Sequence, residues 1–442
     1  MKKFVLLNSP IFWNSEGENE NYLSPIGLGY IATRLEEEKI EVELVDCVKE
    51  KLSVGDIITY LNQANPDFWG INIFTQNYSI VKYIVEKMKI KGSCFIGGQV
   101  VKSIFNEILE WNVNSDLNII IGEGEYIIPS IVLDKCAEPP FLIKKNMKVY
   151  KVDKHSIYYP KDISNVRLNR KYLGNEIIEN HYGEKEAAMI TSRGCVYNCA
   201  FCGGARGLNE DVSIRIRSEE SVKNEIEEIK LLYPDVKSIR ILDDLFLRNR
   251  ESIDMAQRIF SQFPQLSWRA MVHVLSLVSS TEKIKLLKEC NCRELFMGIE
   301  SGSMTIRKRI NKLGEIDDVI KVAEAILANG IDLKGYFMYG FPKETKADFE
   351  ATYKLAQNIV RISRDTKGKF RTSVFQFRPY HGTQLYNEIL EENGSISPCH
   401  PNETLKAMQK RAQFNFSSGN YSSETDEILN EYIIKTQSLT LS

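Results

Sequence analysis

Residues 187–204 read AAMITSRGCVYNCAFCGG. A short run of small and apolar residues gives way at Arg193 and Gly194 to a loop carrying three cysteines in eight positions, Cys195, Cys199 and Cys202. An apolar segment of that length, stopped by a turn residue, predicts a buried strand. Thiols crowded on the loop behind it point to a metal or redox centre, not a disulfide framework. Downstream, the same unit repeats. SIRILDD (238–244), LSWRAMVH (266–273), ELFMGIES (294–301), DLKGYFMYGF (332–341) and RTSVFQFRPY (371–380) are further apolar runs, and helical spacing fills 218–232, 250–263, 281–290, 316–329 and 345–361. Six βα steps predict a partial (β/α)6 barrel of the TIM type over residues 186–390. Residues 391–442 predict a short helical C-terminal extension without a motif.

Upstream, KFVLLN (3–8), EVELVDC (41–47), DFWGINIF (67–74), SCFIGG (93–98) and LNIIIGEGE (117–125) alternate with amphipathic segments such as PIGLGYIATRLEEEKI, where Leu28, Ile31, Leu35 and Ile40 keep helical spacing. Strands apolar almost throughout, alternating with helices, predict an α/β domain with a parallel sheet covered on both faces. Residues 1–137 are therefore expected to form a Rossmann-like doubly wound sheet. Residues 138–185, with Pro139, Pro140 and the hairpin pattern FLIKKNMKVYKV, read as a linker.

The 442 residues carry a net charge of −2, with 43% hydrophobic and 26% charged residues. No broad positive field is available to hold a nucleic-acid backbone, so none is expected as a partner. The first apolar run stops at Asn8, too short for a signal peptide, and no run approaches the ~20 residues of a membrane span. A cytoplasmic protein without membrane association is expected. Of the nine cysteines, Cys47, Cys94, Cys136, Cys290, Cys292 and Cys399 are scattered.

A cubane iron–sulfur cluster takes one thiolate per bound iron, and soft sulfur suits that chemistry. Three cysteines hold three irons of a 4Fe-4S cluster and leave the fourth open. The competing reading is zinc, which usually shows paired knuckles and a fourth ligand nearby; there is no second knuckle, and Cys290 and Cys292 are one residue apart.

CVYNCAFC resembles the CxxxCxΦC signature of the radical S-adenosylmethionine (SAM) superfamily, with Phe201 as the aromatic Φ. The resemblance implies that the open iron chelates SAM and that an electron from the cluster cleaves it to a 5′-deoxyadenosyl radical. Other segments match in register. Gly203 and Gly204 follow the third cysteine, where backbone approaches cluster and cofactor. LDD ends the second barrel strand; Asp243 is expected to hold the SAM ammonium, and Asp244 divides between that role and a helix cap. GIES resembles the SAM ribose and amino contacts through Glu300 and Ser301. GYFMYGFPKET resembles the strand flanking adenine, with Gly340 allowing close approach. His273 and His381 end strands and are weaker candidates for acid–base catalysis; satisfied hydrogen-bonding is the commoner role of such histidines.

PIGLGYIATRLEE, FTQN (74–77), IGGQ (96–99) and IGEGE (121–125) resemble the cobalamin-binding domain that precedes the barrel in one radical SAM subgroup. The resemblance implies cobalamin contacts at Thr75, Gly97, Gly98, Gly122, Glu123 and Gly124, at the carboxyl ends of successive strands where open α/β sheets bind ligands. None of the five histidines lies in the first 150 residues, so no histidine of this domain ligates cobalt. The implied activity is cobalamin-dependent methylation of an unactivated carbon of a small molecule, as in class B radical SAM methyltransferases, with flavodoxin or ferredoxin as electron donor. Two alternatives stay open: radical cyclisation, ring contraction, dehydration or epimerisation without methyl transfer, and a zinc-stabilised binding protein that is not an enzyme.

Overall fold

The first strand, β1 (Lys3–Asn8), is buried along all but its first residue, as a parallel strand covered on both faces requires. In this computed structural model, which describes residues 2–14, 22–410 and 414–440, β1 pairs in parallel with β2 (Glu41–Asp46) on one side and β3 (Phe68–Asn72) on the other. Outward from β3 follow β4 (Ser93–Gly97) and β5 (Leu117–Gly122), also parallel. The helices α1 (Ile26–Glu37), α2 (Val54–Ala64), α3 (Tyr78–Lys87), α4 (Val101–Ile108) and α5 (Ile127–Val132) return the chain. Val5, Leu7, Trp69 and Ile71 pack against α2, α3 and α4. Phe4, Leu6, Phe95 and Ile120 pack against α1 and α5. Alternate residues of one strand thus feed two separate cores, which makes the sheet doubly wound.

The winding reverses at β1, so the topological switch point lies between the carboxyl ends of β1 and β3. The hairpin that the sequence places in a linker belongs to this sheet: β7 (Met147–Val152) pairs in parallel with β5, and β6 (Leu142–Lys144) closes the edge antiparallel to it. Short connections and a residual apolar alternation, Met147, Val149 and Val152 buried, explain why these residues extend the sheet.

The second sheet runs in the order β16-β15-β14-β13-β12-β9-β8. After β8 (Ile178–Glu179) and β9 (Lys185–Met189), a two-stranded clamp of β10 (Ser192–Arg193) and β11 (Arg215–Ile216) brackets the cysteine loop. Then come α6 (Glu219–Leu232), β12 (Ser238–Ile241), α7 (Arg250–Phe260), β13 (Ser267–Val272), α8 (Val274–Leu277), α9 (Ile284–Glu289), β14 (Cys292–Glu300), α10 (Met304–Arg309), α11 (Ile316–Ala328), β15 (Asp332–Tyr339), α12 (Lys346–Arg364) and β16 (Phe370–Gln376). Six parallel strands, β9 and β12 to β16, form the half-barrel. The chain ends in α13 (Gln384–Asn393), β17 (His400–Pro401), α14 (Glu403–Gln409), β18 (Phe416–Ser417) and α15 (Asp426–Gln437). The α/β class, Rossmann-like sheet, half-barrel and helical C-terminal end are those expected from the sequence.

The extension is part of the barrel's packing. Leu429, Tyr432 and Ile433 of α15 join the core outside β15 and β16. The side chain of Gln437 accepts from the Val374 N–H at 2.9 Å, satisfying the outer edge of β16. By contacts the chain divides into Met1–Glu176 with Glu210–Ser213 and Tyr380–Gly382, and the remainder. Among the described residues no helix is long and apolar enough to cross a membrane.

Candidate active site

The cysteine loop has no regular structure of its own and is held by its neighbours. Ala200 N donates to Ile310 O (2.9 Å), Ala200 O accepts from Leu385 N (3.0 Å), and Asn198 O accepts from Asn311 Nδ2 (2.7 Å). Within the loop, Cys202 N donates to Cys199 O and Arg206 N to Tyr197 O. All three cysteines are free thiols. Burial raises each above its ordinary value, Cys202 to about 12, and binding a metal to thiolates releases those protons. Among the described residues no three His, Cys, Asp or Glu side chains converge on one point as a single ion needs. A cubane takes one thiolate per bound iron, so three cysteines on one loop fit its donor set.

The two aspartates of LDD separate sharply. Asp243 is buried and accepts from Thr191 N, Thr191 Oγ1 and Ser192 Oγ, each at 2.6 Å. Its oxygens fasten the end of β9 to the end of β12. Asp244 is the exposed one. Its carboxylate lies against the backbone of Gly204, 3.5 Å from where a Cβ would stand, and desolvation with Asp243 beside it raises its pKa. Within β12, Ile239 and Ile241 face the helices, so Ser238 and Arg240 face the inside of the sheet; Asp243 and Asp244 lie beyond the strand's last residue.

The same rule separates Glu300 from Ser301. Ser301 is buried, with Oγ 3.1 Å from Thr352 Oγ1 and accepting from Ser303 N at 3.1 Å; it fastens the turn after β14. Glu300 faces inward with φ +64, next to a bulge between Gly298 and Glu300. A non-glycine residue in the left-handed region is strained, and such strain collects at functional sites. Lys312 Nζ pairs with Glu300 Oε1 at 3.2 Å. Burial works against the Lys312 charge, but Glu300 and Cys199 outweigh it and raise its pKa. A Cβ on Gly298 would stand 2.3 Å from Glu300 Oε1 and 2.8 Å from Lys312 Nζ, so glycine makes room for the pair. Arg307, buried, donates to the carbonyls of Ile299, Leu313 and Gly314 and shapes the loop. Lys312 and Arg307 escaped the sequence reading: IRKRINK (306–312) looks like any solvated basic helix end.

Gly340 has φ +95, and its N–H and that of Phe341 donate to Glu344 Oε2 at 2.8 and 2.9 Å. Glu344 is buried, and burial pushes its carboxyl up to about 8. Phe201 is half-buried with its ring 5.7 Å from Phe341; Gly203 O accepts from Asn209 Nδ2 at 2.9 Å. His273 caps α8, Nδ1 accepting from Leu275 N, and stacks on Tyr197 at 3.8 Å. Burial, with Lys312 and Arg307, lowers its pKa to about 2, so it stays neutral and is a poor proton acceptor near neutral pH.

In the first unit, the predicted strand-end residues do different jobs. Gly98, φ +128, brings its Cα side to 2.5 Å of Ile73 O for any added Cβ, and Gly122, φ +97, to 2.2 Å of Val152 O; both are fold requirements. Gly124 packs against Ile128, and Glu123 shares its turn. Gly97 alone among these glycines has nothing within 4 Å of a Cβ, a cradle that fits close approach by a flat ligand. Thr75 Oγ1 lies 3.0 Å from His381 Nδ1 and accepts from His381 N at 3.2 Å. His381 also meets Tyr78, ring centroids 5.6 Å apart, and burial lowers its pKa to about 4. By contacts it belongs with the first unit, anchored on Thr75.

Comparison with known proteins resolves the family. Residues 189–356 match the model of the radical SAM superfamily, and residues 17–132 match the B12 binding domain. The chain belongs to the radical SAM superfamily, in the subgroup with a B12-binding domain. It is a radical SAM enzyme. Its cofactors are a 4Fe-4S cluster, SAM and cobalamin. An uncharacterised methyltransferase of Pyrococcus horikoshii is 28% identical, the alignment covering 84% of this chain and 79% of that one. Cytidylyl-2-hydroxyethylphosphonate methyltransferase of Streptomyces wedmorensis is 22% identical over 85% of this chain and 79% of its own. The structure of the radical SAM methyltransferase TsrM from Kitasatospora setae with cobalamin and [4Fe-4S] cluster bound superimposes with a TM-score of 0.66, 15% identity, and coverage of 99% of this chain and 91% of that one; this likeness is one of fold.

Proposed function

We propose that this radical SAM enzyme methylates a carbon atom of a small-molecule substrate with cobalamin as methyl carrier. The observation that carries the reading is the pairing, in one chain, of a B12-binding domain with a half-barrel whose mouth gathers the cysteine loop, Asp244 and the Glu300–Lys312 pair. When bound, the cluster supplies the electron that splits SAM and cobalamin ferries the methyl group. Cys195, Cys199 and Cys202 hold the cluster. Asp244 is the open carboxylate for the SAM ammonium, and Glu300, oriented by Lys312, offers a second polar contact. Gly97 leaves room for the corrin, and Thr75, with His381 on it, lies after β3 at the switch point. An electron donor of the flavodoxin or ferredoxin type completes the system.

Relatives named as methyltransferases support methyl transfer over the other radical outcomes. Transfer of a methylthio group would call for a second cysteine trio; Cys47 and Cys94 are instead sealed in the core of the first sheet. The test is reconstitution with iron, sulfide and cobalamin, followed by methyl-labelled SAM and a small-molecule extract. Label is expected in a new product alongside 5′-deoxyadenosine. Deoxyadenosine with no label beyond SAM and its breakdown products would defeat methylation while sparing the radical reading. Cys199→Ala should lose iron and deoxyadenosine formation together.

A further inference from the structure

Alternate residues of each barrel strand point to the lumen. In β13 to β16, Val272, Leu295, Phe337 and Val374 face the helices. Met271, Phe296, Tyr336, Met338 and Phe375, next to them in sequence, therefore face in. Beneath these five, ion pairs close the lumen. Arg269 donates to Glu186 Oε2 (Nε, 2.6 Å) and to Glu294 Oε2 (Nη1, 3.0 Å), and Arg371 Nη2 donates to Glu294 Oε2 at 2.8 Å. Above them, toward the carboxyl ends of the strands, stand Glu300 and Lys312.

Between the two charged levels lies a belt of rings and thioethers. The Phe296 and Tyr336 ring centroids are 6.3 Å apart and those of Tyr336 and Phe375 are 5.7 Å apart, a ladder across three neighbouring strands. Phe296 is buried, with the guanidinium carbons of Arg240 and Arg269 each 5.4 Å from its centroid, and forms the floor. Met271, Tyr336, Met338 and Phe375 are partly exposed on the inner face, so they line open lumen. Tyr336 Oη makes no hydrogen bond among the described residues. The belt is continuous with the site at the mouth. Met338 and Phe201 of the cysteine loop pack against the same cluster around Phe341. Gly298 stands in register with Tyr336, and the Glu300 carboxylate lies over it.

We propose that the lumen binds a flat aromatic ring carrying a polar heteroatom, the ring held among Met271, Tyr336, Met338 and Phe375 and the heteroatom hydrogen-bonded to the Tyr336 hydroxyl. The proposal rests on the small-molecule reading above and deepens it. Aromatic rings meeting edge to face, or offset and stacked, gain more than their buried area alone gives. Thioether sulfur adds contacts at ring edges and adapts to the shape of its neighbour. A lining of this kind favours a flat ring over a saturated one of equal size. A ring that enters the belt covers the Tyr336 hydroxyl, and a hydroxyl covered without a partner is costly; a heteroatom on the ring removes that cost and fixes the ring's orientation. The reacting carbon then lies on the side of the ring nearer Glu300.

Calorimetric titration of the reconstituted full-length enzyme with indole, and separately with cyclohexanol, tests this. Indole is expected to bind about tenfold or more tightly than cyclohexanol (~1.4 kcal/mol). Met271→Trp puts a large side chain into the lumen and should weaken indole binding about tenfold or more. Tyr336→Phe should weaken it about fivefold, the worth of one neutral hydrogen bond. Absence of indole binding to the unaltered enzyme overturns the proposal, as does cyclohexanol binding as tight as that of indole, or undiminished indole binding in either folded variant. SAM titrated into the same samples checks that each variant is folded; Tyr336→Phe, which removes one oxygen atom, carries the test where Met271→Trp does not fold. Methyl transfer by an enzyme that takes no indole would strike the lumen reading alone, and indole binding without methyl transfer would strike the proposed reaction alone.

Discussion

After β12 a single residue step separates a carboxylate bonded inside the fold from an open one. Asp243 has three short hydrogen bonds inside the fold; Asp244, its neighbour, lies open against Gly204. Asp243→Ala strands three buried donors, and at roughly 1–3 kcal/mol for an unsatisfied buried group the chemical-denaturation midpoint should fall by the equivalent of about 2–4 kcal/mol. Asp244→Asn should leave stability within about 0.5 kcal/mol, as surface changes do, and weaken SAM binding about tenfold or more in a titration. Equal stability losses would remove the distinction. The cysteine trio was legible in the sequence because a cluster needs ligands close in the chain. The partition of Ser301 from Glu300 was legible in principle through the period-two pattern; that of Asp243 from Asp244 was not, because both lie beyond the end of β12. Lys312 was not: its partner Glu300 lies across a loop, and nothing local marks a basic residue that folds inward.

Among the elements, the turn after β15 is the most sensitive to pH. Glu344 grips the N–H groups of Gly340 and Phe341 while burial lifts its carboxyl from about 4.5 to about 8. A carboxyl whose folded pKa is raised favours folding in its protonated form. Its contribution is fully present below the unfolded pKa and is lost as pH rises through the folded one. Stability should therefore decline from this source between about pH 5 and 8.5. Glu344→Gln keeps an acceptor for both N–H groups, so it should flatten that decline in urea midpoints measured across the range; an unchanged slope would show that Glu344 titrates normally. The bulge in β14 gives a second test. Gly298→Ala forces a Cβ into the Glu300–Lys312 pair, and SAM affinity should fall while the cluster, held by the cysteine loop, still forms and shows its visible absorbance. The places where the hairpin β6–β7 and helix α15 attach were hidden for a shared reason. Each is specified by what it packs against, the free edge of β5 and the bare outer face of β16, and those surfaces exist only after the sheets form.

For the molecule as a whole, the alternation of apolar runs and helices specified both sheets, whereas the cobalamin assignment rested on a set of glycines that resemble one another in sequence and differ in space. Gly98 and Gly122 hold backbone that no other residue adopts without strain, and Gly97 has no such duty. This difference separates folding from cofactor binding within one motif. Gly98→Ala puts a Cβ 2.5 Å from Ile73 O in a conformation with φ +128, a strain of about 1–3 kcal/mol or more, and should lower the unfolding midpoint of the cofactor-free protein. Gly97→Val meets nothing within the fold, so that midpoint should hardly move. Its branched side chain would instead fill the cradle, and binding of hydroxocobalamin, followed by the shift in its visible spectrum, should weaken about tenfold or more. If Gly97→Val bound cobalamin as tightly as the natural chain, the corrin would have to lie elsewhere on the sheet edge; if it unfolded the protein, the open space at Gly97 would have to be filled by the chain itself. The expected pair of outcomes, one variant losing stability and the other losing only the cofactor, follows from the side of each strand end that the backbone leaves free, and the sequence motif alone assigns no such difference to two adjacent glycines.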